Sequence, residues 1–138
     1  MTNNRRTKLK VCDWMLLIIT LAALASGIQL EVLSGASVLL IWVHIILCAA
    51  FFGLIIWHLQ LHFQWHGWIR RLWKSKSSDM KWLTVFGFLM LLSAFICTAG
   101  WLVTPDHSMV GAVHGKIGFI FIGVAAFHIL RRFKFYKS

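Results

Sequence analysis

Charge is the first thing this 138-residue chain lacks. Charged residues make up only 13% of it, against about 25% in an ordinary globular protein, and hydrophobic residues reach 59%, against roughly 45–50%. A soluble body of this length cannot enclose that much apolar surface. Acids are scarcer still: 4 Asp and Glu face 14 Lys and Arg, for a formal net charge of +10. Such a balance suits nucleic acid only when the bases line a polar groove. Here they flank long apolar runs, so nucleic acid is not an expected partner. Cysteine is equally sparse. Cys12, Cys48 and Cys97 make no disulfide framework, no C-x-x-C or zinc spacing, and no C-x-x-C-H for covalent haem. They read as small apolar residues. There is no nucleotide-binding glycine loop, no nucleophile motif and no polar stretch long enough for an extramembrane catalytic domain. Only one proline is present, Pro105. These absences leave an integral membrane protein.

A spanning helix needs about 20 mostly apolar residues. Four stretches qualify: about 14–30, 38–61, 82–103 and 109–130. Helices are expected because lipid offers backbone groups no partners, and the runs lack the alternation of barrel strands. Pro105 and Asp106 mark the break between the third and fourth spans, and Ser34, Gly35 and Ser37 the first turn. The basic residues then set direction. Arg5, Arg6, Lys8 and Lys10 precede span one. Arg70, Arg71, Lys74, Lys76 and Lys81 lie between spans two and three, and Arg131, Arg132, Lys134 and Lys137 follow span four. The loops around Glu31 and Asp106 contain no base. By the positive-inside rule both termini are expected in the cytoplasm, with the chain multi-pass in the cell's inner membrane. The basic start followed by Ala23-Leu24-Ala25 also fits a cleavable signal peptide, but the expectation is a permanent first helix. The aromatic and basic run 65–73 reads as a belt at the cytoplasmic surface.

Seven histidines stand out against this apolar background: His44, His58, His62, His66, His107, His114 and His128. Polar groups in hydrocarbon are costly, which makes each a functional candidate. His62, His66 and His107, at span ends or in a loop, are better read as interfacial. The other four form a pattern. His44 and His58 are 14 residues apart in span two, and His114 and His128 are 14 apart in span four. At about 100° per residue, 14 residues return to within roughly 40° of the start, and they rise roughly 21 Å. Spans two and four run in the same direction, so the histidines form an outer pair, His44/His114, and an inner pair, His58/His128.

The repeat is wider than the histidines. An offset of 70 overlays Val43-His44 on Val113-His114, Phe51 on Phe121, Gly53 on Gly123 and Trp57-His58 on Phe127-His128. A weaker echo joins Ser26-Gly27-Ile28 to Ala99-Gly100-Trp101. The expected fold is therefore an all-α integral membrane protein, four transmembrane helices in an up-down bundle built from a duplicated helical hairpin, forming a single domain over 1–138.

Two imidazoles at each of two membrane depths suit two b-type haems, each iron held by a histidine from each of two facing helices. The metal ligands are then His44, His58, His114 and His128. Gly27, Gly100, Gly115 and Gly118 would let the macrocycle pass close to the backbone, although close helix packing accounts for them equally well. Lys116 and Arg131 are candidates for haem propionates, while snorkelling and the positive-inside rule give them independent reasons to be there. Adjacent Asp106 and His107 are candidate proton acceptors for a quinol at the outer face, or simply a helix start.

This pattern resembles the four-helix di-haem b-type cytochromes of bacterial membranes, the flavinylation-associated cytochrome family above all. The resemblance covers nearly the whole chain. It rests on Ser26-Gly27, Val43-His44, His58-Leu59-Gln60-Leu61-His62-Phe63-Gln64-Trp65, Ala99-Gly100, Val113-His114-Gly115 and His128-Ile129-Leu130-Arg131. It implies bis-histidine ligation at the four histidines named and electron exchange with a flavoprotein partner. Cys48 departs from the repeat where its counterpart is Gly118, and His62 is a rival to His58 as inner ligand. The expected function is transmembrane electron transfer between a quinol or flavoprotein and a redox partner, by a subunit of an oxidoreductase system rather than an enzyme by itself. Membrane lipid surrounds it, quinone is a candidate partner, and oligomers are compatible with the reading. The alternatives are a histidine-based metal-ion or proton transporter and a haem-handling assembly protein. Against transport stand the lack of carboxylates within the four spans and the wide separation of the paired histidines.

Overall fold

In the computed structural model, residues 3–33, 37–62, 70, 74, 78–103 and 109–136 are described. Four helices account for nearly all of them: α1 Asn3–Val32, α2 Val38–His62, α3 Ser78–Val103 and α4 Met109–Tyr136. Each contains a segment long and apolar enough to cross a membrane, over Arg5–Val32, Val38–His62, Met80–Val103 and Val110–Arg131. The all-helical membrane architecture follows from the composition. With no water in hydrocarbon, a backbone satisfies its own N–H and C=O groups most simply within a helix.

Two of the helices extend well beyond their apolar runs. At 30 residues α1 is about 45 Å long, and it begins at Asn3 rather than near Trp14. The added turns carry Arg5, Arg6, Lys8 and Lys10, which are good helix formers, so the helix has no reason to stop where the hydrocarbon does. One consequence concerns Asp13. The sequence-based bounds leave it outside the first span, whereas the continuous helical segment Arg5–Val32, long and apolar enough to cross a membrane, includes it. A carboxylate therefore belongs to the helix that carries the first span.

The chain divides into two compact units, 1–68 and 69–138, which are the two expected hairpins. In the first, α1 packs on α2; in the second, α3 packs on α4. Residue contacts show that α1 and α2 are antiparallel. Arg5 reaches the Leu61 carbonyl, Asp13 meets His58, and Ser26 meets His44. Likewise Gly87 faces Phe121 and Ser93 meets His114 in the second hairpin.

Few described residues are enclosed. Leu9, Cys12, Phe51 and Phe121 are the buried hydrophobic ones, while Ser26 and Ser93 are the buried polar ones. Large apolar side chains such as Leu39, Phe95 and Leu130 are widely exposed, as suits helices whose surroundings are lipid and not water. The duplication is visible in this thin core. Phe51 and Phe121 are both buried, and an added Cβ at Gly53 or at Gly123 would meet no atom within 4 Å.

Candidate histidine sites in each hairpin

The buried serines are the starting point in both hairpins. A hydroxyl in an apolar helix satisfies itself by donating to a carbonyl one turn back. Ser26 Oγ donates to the Ala23 carbonyl at 2.9 Å, and Ser93 Oγ to the Met90 carbonyl at 3.0 Å. Each oxygen also lies within hydrogen-bond distance of a histidine on the neighbouring helix. Ser26 Oγ is 2.8 Å from His44 Nδ1, and Ser93 Oγ is 2.9 Å from His114 Nδ1. A serine has one hydroxyl proton, and a carbonyl can only accept. Satisfying both contacts assigns the proton on each imidazole to Nδ1, which donates to the serine oxygen. Nε2 then keeps its lone pair. Neutral histidine bonded through Nδ1–H, with Nε2 presented as a donor atom, is the form in which metal-ligating histidines are held.

Around His44 the fit is close. A Cβ at Gly27 would lie 3.2 Å from the ring's Cε1, so even alanine there would press on the imidazole. Cys48 Sγ lies 3.5 Å from Nε2, one turn along α2, and the thiol must turn away for that nitrogen to take a metal. Its counterpart in the second hairpin, Gly118, carries no side chain. There an added Cβ would make ordinary contact with Met90 Cε at 3.5 Å.

These contacts also revise the repeat. Ser26 to Ser93 is an offset of 67, close to the offset of 70 that relates His44 to His114. Ser26-Gly27 thus corresponds in place to Ser93-Ala94, and not to Ala99-Gly100 as the sequence echo has it. An added Cβ at Gly100 would meet no atom within 4 Å. In the sequence Ser26 stands out only within that echo and within the family resemblance, and Ser93 not at all. Neither has a signal of its own, since serine in a membrane helix ordinarily reads as a small packing residue.

The other end of the first hairpin is built differently. His58 Nδ1 lies 2.8 Å from Asp13 Oδ1, with the two side chains only 27% and 15% exposed. The distance is that of an ion pair or a hydrogen bond, but the approach is poorly directed. Nδ1 is enclosed and makes no directed hydrogen bond. His62 follows one turn later, its ring centroid 4.5 Å from that of His58. One donor atom from each of Asp13, His58 and His62 lies within 4.8 Å of the others. Nearby, Arg5 donates to the Leu61 carbonyl at 2.7 Å, satisfying one of the acceptors left at the end of α2.

His128, Gly115, Lys116 and Arg131 are all on α4, in the order the sequence requires. Thr104, Pro105, Asp106, His107 and Ser108, together with Ser34, Gly35, His66 and most of the belt 65–73, lie outside the described residues.

Comparison of the chain with protein-family models, with curated proteins and with solved structures finds no match.

Proposed function

We propose that this protein is a membrane electron-transfer subunit carrying two b-type haems, His44 and His114 ligating one iron and His58 and His128 the other. The observation that carries the reading is the serine-held histidine found once in each hairpin. Two hairpins that share this device at His44 and His114 supply two neutral imidazoles of the same tautomer, as bis-histidine ligation needs. The parallel direction of spans two and four, read from the sequence, is the reason for pairing them.

When bound, haem would supply one-electron chemistry at the iron. The chain's own work is to hold its ligands. Ser26 and Ser93 fix the orientation of His44 and His114, and Gly27 leaves room for the His44 ring. Apolar helices keep water from the ligand nitrogens. Lys116 and Arg131 are available as partners for propionate groups. On this reading the protein resembles the flavinylation-associated cytochromes and is a conduit whose substrate chemistry resides on a flavoprotein or quinol-handling partner. Reduction with dithionite should give a b-type difference spectrum that does not change under carbon monoxide, because no axial position is open. A protein without haem absorbance would instead favour the transport reading.

The positive-inside rule places both termini and the connection between α2 and α3 in the cytoplasm, in a bacterial inner membrane. Cysteine introduced at Ser77 should resist a membrane-impermeant maleimide added to intact cells, while cysteine at Ser34 should label. The reverse pattern would overturn this orientation.

A further inference from the structure

We propose that Asp13, His58 and His62 form a binding site for a divalent transition-metal ion of the Zn²⁺ class, and that an ion bound there withdraws His58 from haem ligation. The second half rests on the haem reading above; the first does not.

The cluster is the feature of the first hairpin that duplication fails to explain. At the offsets that match the rest of the repeat, Asp13 corresponds to Met80, His58 to His128 and His62 to Arg132. That second set has one imidazole and no carboxylate, so it lacks the donors of the first, which is therefore not a by-product of two hairpins built alike. Its chemistry is that of a borderline-soft ion: two imidazoles and one carboxylate. His58 and His62 are four residues apart on one helix, the spacing at which two imidazoles share a face and close on zinc. Asp13 approaches from α1 and completes three protein ligands, leaving a fourth position for water.

The setting of His58 Nδ1 suits a metal ligand. It is enclosed, it sits 2.8 Å from a carboxylate oxygen, and it makes no directed hydrogen bond. Donor atoms around tetrahedral zinc stand about 3.3 Å apart, given bonds of about 2.0–2.1 Å. The three atoms already lie within 4.8 Å of one another, so small side-chain rotations close the set.

Exclusion of haem follows from the imidazole itself. A neutral ring has one proton and one available ring lone pair. If Nδ1 gives its lone pair to the ion, the proton is on Nε2, and that nitrogen can no longer ligate iron. His44 and His114 are immune, because serines hold their protons on Nδ1.

The test is equilibrium dialysis of the purified full-length, haem-loaded protein against Zn²⁺, with zinc and haem both counted per chain. The expected result is one tightly held zinc, lost at least tenfold in affinity in Asp13→Asn and in His62→Ala and unchanged in His44→Ala. That magnitude is conservative, since even residues that only orient a metal ligand contribute about 10–100-fold. As zinc fills the site, haem should fall from two per chain to one in the wild type and stay at two in Asp13→Asn. Zinc binding indifferent to both Asp13→Asn and His62→Ala would overturn the site. Zinc bound through these residues with both haems retained would overturn the competition. A chain that takes up zinc in this way and carries no haem would sink the haem reading and leave the metal site standing.

Discussion

Replacing His114 by alanine is expected to halve the haem content, from two per chain to one, with the remaining haem nearly unchanged in its spectrum. The two histidine pairs are separated by 14 residues of helix, a rise of roughly 21 Å, so loss of one ligand does not reach the other pair. His44→Ala should give the same result, because an iron with one axial histidine removed is held by half its protein ligands. Pyridine haemochrome assays against protein concentration check this. If either variant loses both haems while keeping its helix content, the pairs are not independent and the assignment of ligands is wrong. If neither loses any, His44 and His114 are not ligands at all.

Ser26→Ala and Ser93→Ala should come next in size. Neither serine touches the iron in this account. Each holds a ligand's Nδ1 proton and ring angle, at 2.8 Å and 2.9 Å. Removing such a partner costs about 10–100-fold in metal affinity. The His44/His114 haem should therefore be lost more readily to apomyoglobin, by about that factor in each single variant, while the other haem is unaffected. Threonine, which keeps the hydroxyl, should restore retention at either position. A merely structural role would give the opposite signature: lower thermal stability, equal loss of both haems and no selective rescue.

Much of the fold was legible in the sequence because membrane solvation leaves little choice. Four runs of apolar residues become four helices, and the histidine offset of 70 announces two like hairpins. What stayed hidden depended on contacts between helices. The start of α1 could not be read from hydropathy, since Arg5 to Lys10 continue the helix without continuing the apolar run, and this hid Asp13 from its partner His58. The serines were hidden for a similar reason. Their importance lies in the antiparallel register of α1 on α2 and of α3 on α4, which no periodicity within one helix encodes. The echo at Ala99-Gly100 misled because glycine and alanine recur by chance in membrane helices, whereas Ser93 has its counterpart in Ser26 through the histidine each one holds.

The His58 end of the first hairpin also bears on metal-ion transport. Against transport stands the wide separation of the paired histidines, too far apart for one ion. His44 and His58 are indeed far apart along α2, but His58 finds closer company in His62 and Asp13. A cation site and an electron-transfer function are compatible in one chain provided that they share His58 in turn.

The haem-to-chain ratio of the wild-type protein, purified with a chelator so that no divalent metal competes for His58, tests the central claim most directly. Bis-histidine ligation at two depths requires two b-type haems per chain, both low-spin and both reduced by dithionite. A ratio of one, or a preparation with no haem after expression under haem-replete conditions, would contradict it.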